Sequence, residues 1–182
     1  MLRLGLIFLT LLAAIAFANA VSTTTPLRGD HNTLEVRLSD AMALIQSGSM
    51  SEALEVLDEL SVAQYAPAEA QLGLMYANGL GVERNQPIAA IWFYRAARQG
   101  LPSAQLALGA ILAEGRGVPS DIEDAYMWIK LAQTRSEGRI SERAAEMAGI
   151  VKKSLSAEEV AAAEGRVRSW KPSRPLPINS RY

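Results

Sequence analysis

An internal repeat with a period of 36 residues constrains the fold of this chain more than any other feature of its sequence. When residues 68–97 are aligned with residues 104–133, ten of the thirty positions are identical, whereas unrelated segments of average composition would share roughly two. The identical pairs are Ala68/Ala104, Leu72/Leu108, Gly73/Gly109, Ala77/Ala113, Gly79/Gly115, Gly81/Gly117, Val82/Val118, Ala89/Ala125, Trp92/Trp128 and Ala96/Ala132. Such a period is typical of proteins that stack copies of one short unit, so the sequence predicts a repeat architecture.

Each unit contains two apolar patterns with helical spacing, separated by a glycine-rich turn. In the first unit, Leu72 and Tyr76 share one helical face, and Trp92 and Ala96 share another. The turn reads Asn-Gly-Leu-Gly-Val at positions 78–82 and Glu-Gly-Arg-Gly-Val at positions 114–118. Glycine ends a helix at such a turn because it enters the left-handed backbone region at little cost. Each unit is therefore predicted to be a helix pair.

Two glycines, Gly73 and Gly109, fall inside the first helix of each unit, where glycine costs about 1 kcal/mol relative to alanine. We interpret them as bare positions against which a tryptophan ring of the partner helix packs. At the start of the next helix, Asp121 with Asp124 three residues later predicts an N-cap followed by an acidic first turn.

The string Ala-Gln-Leu-Gly-Leu-Met-Tyr-Ala-Asn-Gly-Leu-Gly-Val at positions 70–82, followed by Ala89, Trp92, Phe93 and Gly100, closely resembles the Sel-1-like repeat, a relative of the tetratricopeptide repeat. The resemblance covers two full copies. It implies an all-α fold, an α-solenoid of antiparallel helix pairs that binds other proteins as an adaptor or scaffold and does not catalyse a reaction.

The same small-and-large residue spacing extends on both sides of the two clear copies. Residues 34–66 are expected to form a divergent first repeat, followed by repeats at 67–102 and 103–135. Residues 140–170 are expected to form a pair of capping helices, with a pattern that resembles the C-terminal cap of secreted bacterial relatives.

Helix starts and chain ends give further predictions. Ser49 with Glu52, and Ser156 with Glu159, have the spacing of capping boxes. Residues 171–182 contain three prolines and are expected to form an extended or disordered tail, which is either solvated or a recognition segment.

The first 20 residues have the pattern of a secretory signal peptide. Arg3 precedes an apolar stretch, and Ala18-Asn19-Ala20 provides a small-x-small cleavage pattern, so cleavage is expected after Ala20. The alternative is an uncleaved membrane anchor, but the apolar stretch is short for a span of about 20 residues. With residues 21–33 as a flexible linker, the mature protein is expected to be periplasmic or secreted, without a membrane span.

Composition excludes several classes of function. The chain has no cysteine, which excludes disulfides, a lipid-bearing cysteine and cysteine-based metal sites. A formal net charge of −1 gives no support for nucleic-acid binding. His31 is the one histidine, and a lone histidine in a polar linker is more often solvated than a metal ligand. We therefore predict no metal, no cofactor and no Ser-His or Cys-His catalytic pair.

The other candidate sites have structural explanations. The Gly-x-Gly turns lack the Lys-Ser/Thr of a phosphate-binding loop. The acidic pairs at positions 123–124 and 158–159 lie at helix starts, where negative charge suits the helix dipole. Trp92 and Trp128 are a conceivable sugar-stacking platform, but their position in the repeat places them in the core. No catalytic residue is predicted.

If the chain binds a partner, the site is expected on the concave wall formed by the first helix of each pair. That wall is expected to be apolar with few charges, and so better suited to a peptide or a helix than to a phosphate. The alternative is that several of its residues pack against the next helix pair. The predicted partner-binding residues are Met42, Ile45, Gln46, Leu74, Ala77, Asn78, Ala110, Ala113 and Glu114.

Two hypotheses of function remain at this point. The preferred one is a non-catalytic periplasmic interaction module, an adaptor, scaffold or regulator that holds a peptide or a partner protein of the cell envelope. The alternative is a β-lactamase-like protein or one that binds or hydrolyses cell-wall glycan. Sel-1-like proteins linked with penicillin binding are rich in cysteine, and the absence of cysteine here disfavours that alternative.

Overall fold

The computed structural model describes residues 31–173, a part of the chain that consists of helices joined by short connections and contains no strand. The helices are α1 (His31–Ser47), α2 (Met50–Val62), α3 (Ala66–Asn78), α4 (Gln86–Arg98), α5 (Pro102–Glu114), α6 (Ile122–Thr134), α7 (Gly138–Val151) and α8 (Ala157–Ser169), with a 3₁₀ turn at Lys152–Ser154. The predicted signal peptide lies outside the described residues, as do residues 21–30 of the predicted linker and residues 174–182 of the predicted tail.

The helices form a solenoid, because each helix from α1 to α6 packs against the next one along the chain. In addition, α5 contacts α7, and α6 contacts α8. The first helices of successive pairs begin at Ala66, Pro102 and Gly138, which are 36 residues apart. The all-α solenoid is thus confirmed. The period also continues into α7 and α8, so the pair that was expected only as a cap has the register of a further, divergent repeat.

The core of the described residues divides into two hydrophobic clusters along the stack. The first joins α1, α2 and α3 through Ala41, Leu57 and Leu72, which are fully buried. The second extends from α3 to α8. Trp92 packs, partly buried, against the first cluster, and Trp128 is buried in the second. The two equivalent tryptophans therefore pack in successive layers of the core, as their repeat position predicted.

The turn inside each repeat has the backbone geometry that its glycines require. Gly79 and Gly115 end α3 and α5 with φ angles of 73° and 65°, in the left-handed region. The side chains of Asn85 and Asp121 then cap α4 and α6, where each accepts a hydrogen bond from the backbone N–H three residues later. The predicted helix-ending glycines and the Asp121 N-cap are confirmed.

The mid-helix glycines do provide bare positions, but the residues that fill them are not tryptophans. A Cβ atom added to Gly73 would lie 3.0 Å from the ring of Phe93, and one added to Gly109 would lie 2.5 Å from Cγ1 of Ile129. The prediction of a tryptophan contact was therefore wrong by one residue, since a shift of one position turns a side chain by about 100° around the helix axis.

One of the two predicted capping boxes forms. At the start of α8, Ser156 Oγ accepts from the Glu159 N–H, and the Glu159 carboxylate accepts from the Ser156 N–H at 2.7 Å. Hydrogen bonding to the Glu159 carboxylate by the Ser156 backbone N–H, and then by the Ser156 side chain, lowers the pKa of Glu159. Ser49 has a φ of −76° and a ψ of 61°, and its side chain makes no capping hydrogen bond. The predicted capping box at Ser49 was therefore wrong. A tight turn after Gly48 leads directly into α2 and gives Ser49 a backbone conformation different from that of Ser156.

Replacing Ser156 with alanine is expected to lower the free energy of unfolding by about 1 kcal/mol, because the Glu159 N–H loses its acceptor. Ser49→Ala is the matched control and is expected to have a much smaller effect, since that side chain caps nothing. Urea unfolding followed by circular dichroism measures both changes. Equal losses in the two variants would contradict the assignment.

The described ends of the chain are more ordered than predicted. The helix α1 begins at His31, so the last three residues of the predicted flexible linker are helical, and His31 Nε2 lies 3.5 Å from the Glu35 carboxylate one turn later. Beyond α8, the Ser173 N–H donates to the Arg98 carbonyl at 2.8 Å. Residues 171–173 form no helix, as expected for an extended segment, and this hydrogen bond holds them against α4.

A short aromatic ladder supports this C-terminal contact. The Trp170 ring meets the edge of Trp128 with ring centroids 6.2 Å apart, and Trp128 meets Tyr94 in the same manner. The Arg135 guanidinium lies 4.5 Å over the Trp170 ring and donates to the Trp170 carbonyl. The end of α8 therefore covers α6 and closes this side of the stack.

Candidate functional site

A groove of about 630 Å³ runs along the face formed by the first helices of successive repeats, between α3, α5 and α7. Its volume lies in the range of sites that hold small ligands or anchoring side chains. We refer to it as the α3–α5–α7 groove. Its lining residues are Leu74, Ala77, Asn78, Arg84, Gln86, Phe93, Ser103, Leu106, Ala107, Ala110, Ile111, Glu114, Arg116, Ile140, Arg143 and Met147.

The floor of the groove is apolar. Phe93, Leu106 and Ile111 are buried core residues that present one side to the groove. Ala107 and Ala110 keep the floor low, and Leu74 projects beside them with 43% of its surface exposed. An exposed leucine next to a low apolar floor provides surface that a partner can bury.

The rim carries positive charge. Arg84, Arg116 and Arg143 are exposed arginines that line the groove, whereas Glu114 is its one carboxylate. Arg116 Nε lies 2.8 Å from the Glu114 carboxylate. Among residues 31–173, neither Arg84 nor Arg143 has an acidic partner. The expectation of few charges was therefore wrong for the rim.

The two side-chain amides that line the groove donate hydrogen bonds to backbone carbonyl groups of α3. Asn78 Nδ2 donates to the Leu74 carbonyl, and Gln86 Nε2 donates to the Ala77 carbonyl, each at 2.8 Å. The Ala77 carbonyl is among the last four of α3, which the helix leaves without internal donors, whereas the Leu74 carbonyl gains a second donor. The groove thus offers a bound molecule few side-chain donors apart from the arginines.

The structure brings five of the predicted partner-binding residues into this groove, namely Leu74, Ala77, Asn78, Ala110 and Glu114. Ala113 is partly buried outside it, and its carbonyl accepts from Ser120 Oγ.

The three predicted residues of α1 do not line the groove. Met42 and Ile45 are partly buried, with Ile45 packed against the first core cluster, and Gln46 is exposed. The reason is that α1 packs against α2, whereas the groove is bounded by α3, α5 and α7.

The sequence interpretation missed the contribution of α7 and of the arginines. Ile140, Arg143 and Met147 line the groove from a helix that had been assigned to a cap. The 36-residue period relates Arg143 to Ala107 and Met147 to Ile111, both of which also line the groove. Extending the period by one unit would have identified these positions.

A buried ion pair connects α3 with α4 and does not line the groove. Arg95 Nε and one terminal nitrogen contact Glu69 Oε1 at 3.0 and 2.6 Å, and Gln99 Nε2 donates to Glu69 Oε2 at 2.7 Å. Glu69 is fully buried, and its burial raises its pKa, although Arg95 and Gln99 act in the opposite direction. Because no solvent reaches this carboxylate, we interpret the pair as a connection between helices.

The other acidic candidates also serve structural roles. Arg166 of α8 contacts Glu123 and Asp124 at the start of α6, at 3.4 and 2.5 Å. Within residues 31–173, no cluster of three or more histidines or carboxylates has the arrangement of a metal site. In the same range, no helix combines the length and the apolar character that a membrane span requires.

The helix pairs of the structure agree with the repeats that comparison with known proteins identifies. Residues 66–101 and 102–132 match the family model described as Sel1 repeat, and they coincide with the helix pairs α3–α4 and α5–α6. The chain contains two Sel1 repeats. Sel1 repeats are generally non-catalytic modules of protein–protein interaction. No curated protein sequence matches this chain.

Two solved structures are similar to this chain in fold and sequence. A protective antigen present in uropathogenic Escherichia coli strains, described as displaying an SLR fold, aligns with a TM-score of 0.68 and 29% identity over 79% of this chain. A Sel1 repeat protein from Oxalobacter formigenes aligns with a TM-score of 0.55 and 26% identity over 62% of this chain. The alignments cover 30% and 88% of those two proteins, so the chain spans less than a third of the first.

Proposed function

We propose that this Sel1-repeat protein is a non-catalytic interaction module of the bacterial cell envelope, which holds a segment of a partner protein in the α3–α5–α7 groove. The observation that carries the proposal is an open groove with an apolar floor, built from the repeat positions of a module that generally binds proteins. The exposed Leu74 and the alanine floor give that partner apolar surface to bury.

The contents of the groove support binding over catalysis. Glu114, its one carboxylate, is exposed and paired with Arg116. The buried carboxylate nearby, Glu69, is held by Arg95 and Gln99 and has no access to a substrate. A groove of this composition can bury apolar side chains and attract charge. Its one hydroxyl, Ser103, lies in the first turn of α5, whereas Glu114 ends that helix, so the two are too far apart to act as a nucleophile and its base.

The envelope location is proposed from the signal-peptide pattern of residues 1–20. The expected mature protein begins at Val21. Mass spectrometry of the chain recovered from a periplasmic fraction measures this directly, and recovery of the uncleaved chain from the cytoplasm would contradict it.

Site-specific photo-crosslinking tests the groove as the binding face. A photoreactive amino acid at Leu74 is expected to capture a partner protein in intact cells. The same amino acid at Ile91, which is 57% exposed and does not line the groove, is the matched control.

Capture at Leu74 that is lost when Ala110→Trp fills the groove floor would support the proposal. Equal capture at both positions, or capture that Ala110→Trp leaves unchanged, would overturn it. Circular dichroism of the Ala110→Trp variant verifies that the helices remain folded.

A further inference from the structure

The charge of the rim narrows the class of partner, if the groove is the binding face proposed above. We propose that the occupant is a short amphipathic helix whose apolar side rests on the groove floor and whose flanking positions carry aspartate or glutamate. This inference rests on the proposed function and adds the chemistry and conformation of the bound segment.

The acidic character follows from the arginines. The rim contains Arg84, Arg116 and Arg143 against a single carboxylate, although the chain as a whole has a formal net charge of −1. The rim of the groove is therefore positively charged, although the chain as a whole is slightly negative. Arginine has a planar fork of donors that fits carboxylates in bidentate geometry. Since Arg84 and Arg143 have no acidic partner within residues 31–173, they are available to a carboxylate of the bound segment.

The helical conformation follows from the shortage of backbone partners. An extended peptide would bring its own N–H and C=O groups to the groove, and each would need a hydrogen bond once it is removed from water. The Asn78 and Gln86 amides each already use one N–H on a carbonyl of α3, and the unpartnered Gln86 Oε1 is buried. The alanine, leucine and phenylalanine side chains of the floor offer no hydrogen bonds. A helix satisfies its backbone internally and presents apolar residues at i, i+3, i+4 and i+7.

The floor also suits a helix in shape. Ala77 of α3 and Ala107 and Ala110 of α5 are small residues of the groove lining, which also includes Leu74 of α3 and Met147 of α7. Small residues allow a second helix to approach closely, while Leu74 and Met147 are side chains that can pack on its flanks.

Fluorescence anisotropy with designed peptides tests the inference on the full mature chain. One peptide of about 15 residues carries leucine at helical spacing with glutamate on both flanks, and a second carries lysine in place of each glutamate. A third has the composition of the first in scrambled order, which removes the apolar face. The glutamate peptide is expected to bind at least about tenfold more tightly than either of the others.

Charge reversal locates the contact. In the double variant Arg84→Glu/Arg143→Glu, affinity for the glutamate peptide is expected to fall about tenfold or more. The control is Lys152→Glu/Arg168→Glu, which makes the same change in net charge at exposed positions that do not line the groove. This control variant is expected to change affinity by less than about twofold. Any remaining effect of net charge should disappear when salt is added, because salt screens interactions between distant charges.

The outcomes separate this inference from the proposed function. Tight binding of the glutamate peptide that only the groove variant weakens supports the inference. Equal binding of the glutamate and lysine peptides, tight binding of the scrambled peptide, or equal losses in the groove and control variants would overturn it. If a native partner is captured at Leu74 and released by Ala110→Trp while the peptides show no charge preference, the proposed function stands and this inference fails.

Discussion

Replacing Arg95 with leucine is expected to lower the free energy of unfolding by about 3–5 kcal/mol. Arg95 and Glu69 form an ion pair whose side chains are only 8% and 0% exposed. Without Arg95, the Glu69 carboxylate is left in the core with Gln99 as its remaining hydrogen-bond donor. Either the charge stays buried or the carboxyl takes up a proton, and both cost stability. Urea unfolding of the purified chain at neutral pH measures the loss.

The second repeat suggests a control variant for this prediction. At the positions equivalent to Glu69 and Arg95 it has Gln105 and Leu131, both fully buried. The double variant Glu69→Gln/Arg95→Leu copies that pair into the first repeat, so it is expected to recover most of the stability that Arg95→Leu loses. A double variant as unstable as the single one would show that the ion pair is not the source of the effect.

The single variant Arg95→Leu is also expected to change how the free energy of unfolding depends on pH. Burial raises the pKa of Glu69 above its ordinary value of 4.5, in spite of Arg95. A carboxyl with a higher pKa when folded contributes stability that is fully present below the pKa of the unfolded chain and is lost as pH rises through the folded pKa. Arg95→Leu removes the charge that lowers this pKa, so its free energy of unfolding should decrease more steeply than that of the wild type as pH rises above about 4.5. Parallel pH profiles would contradict this account.

Replacing Gly109 with alanine is expected to lower the free energy of unfolding by about 2–3 kcal/mol. The new Cβ would lie 2.5 Å from Ile129 Cγ1 and 3.0 Å from the Ala125 carbonyl oxygen. Because the second contact is backbone, the strain cannot be relieved by a side-chain rotation, and α5 and α6 must move apart. Thermal and urea unfolding measure the effect.

Two other glycines serve as matched controls for Gly109→Ala. At Gly73 the three atoms nearest to the added Cβ all belong to the Phe93 ring, at 3.0 Å, and a side chain can shift more easily than backbone, so Gly73→Ala is expected to cost less. At Gly149, on an exposed part of α7, nothing lies within 4 Å of the added atom. Gly149→Ala is therefore expected to stabilise the protein by up to about 1 kcal/mol through helix propensity. If Gly109→Ala were as well tolerated as Gly149→Ala, this result would contradict the close packing of α5 against α6 at Gly109.

Local chemistry explains why much of the fold could be predicted. The turn glycines Gly79 and Gly115, the Asp121 cap and the Ser156 box depend on residues within a few positions of each other. The failures came where neighbours in space decide the outcome. Ser49 has the same spacing as Ser156 but a different backbone angle, and Gly109 faces Ile129 because of the rotation of α6.

The candidate site was only partly predictable for the same reason. Repeat position identified Leu74, Ala77 and Ala110 as residues of the first-helix face, and the structure places them in one groove. It did not identify Arg84 or Arg143, because one follows the turn and the other lies on a helix with little sequence similarity to the repeats.

The sequence by itself determined that this chain is a stack of helix pairs with a 36-residue period, because apolar spacing and turn glycines act over a few residues and recur. The tertiary structure alone decided which faces meet. It placed α7 beside α5 to complete the groove, concentrated three arginines on its rim, and paired Glu69 with Arg95 across 26 positions of the chain. Contacts of this kind depend on the rotation and distance of packed helices, which periodicity does not specify.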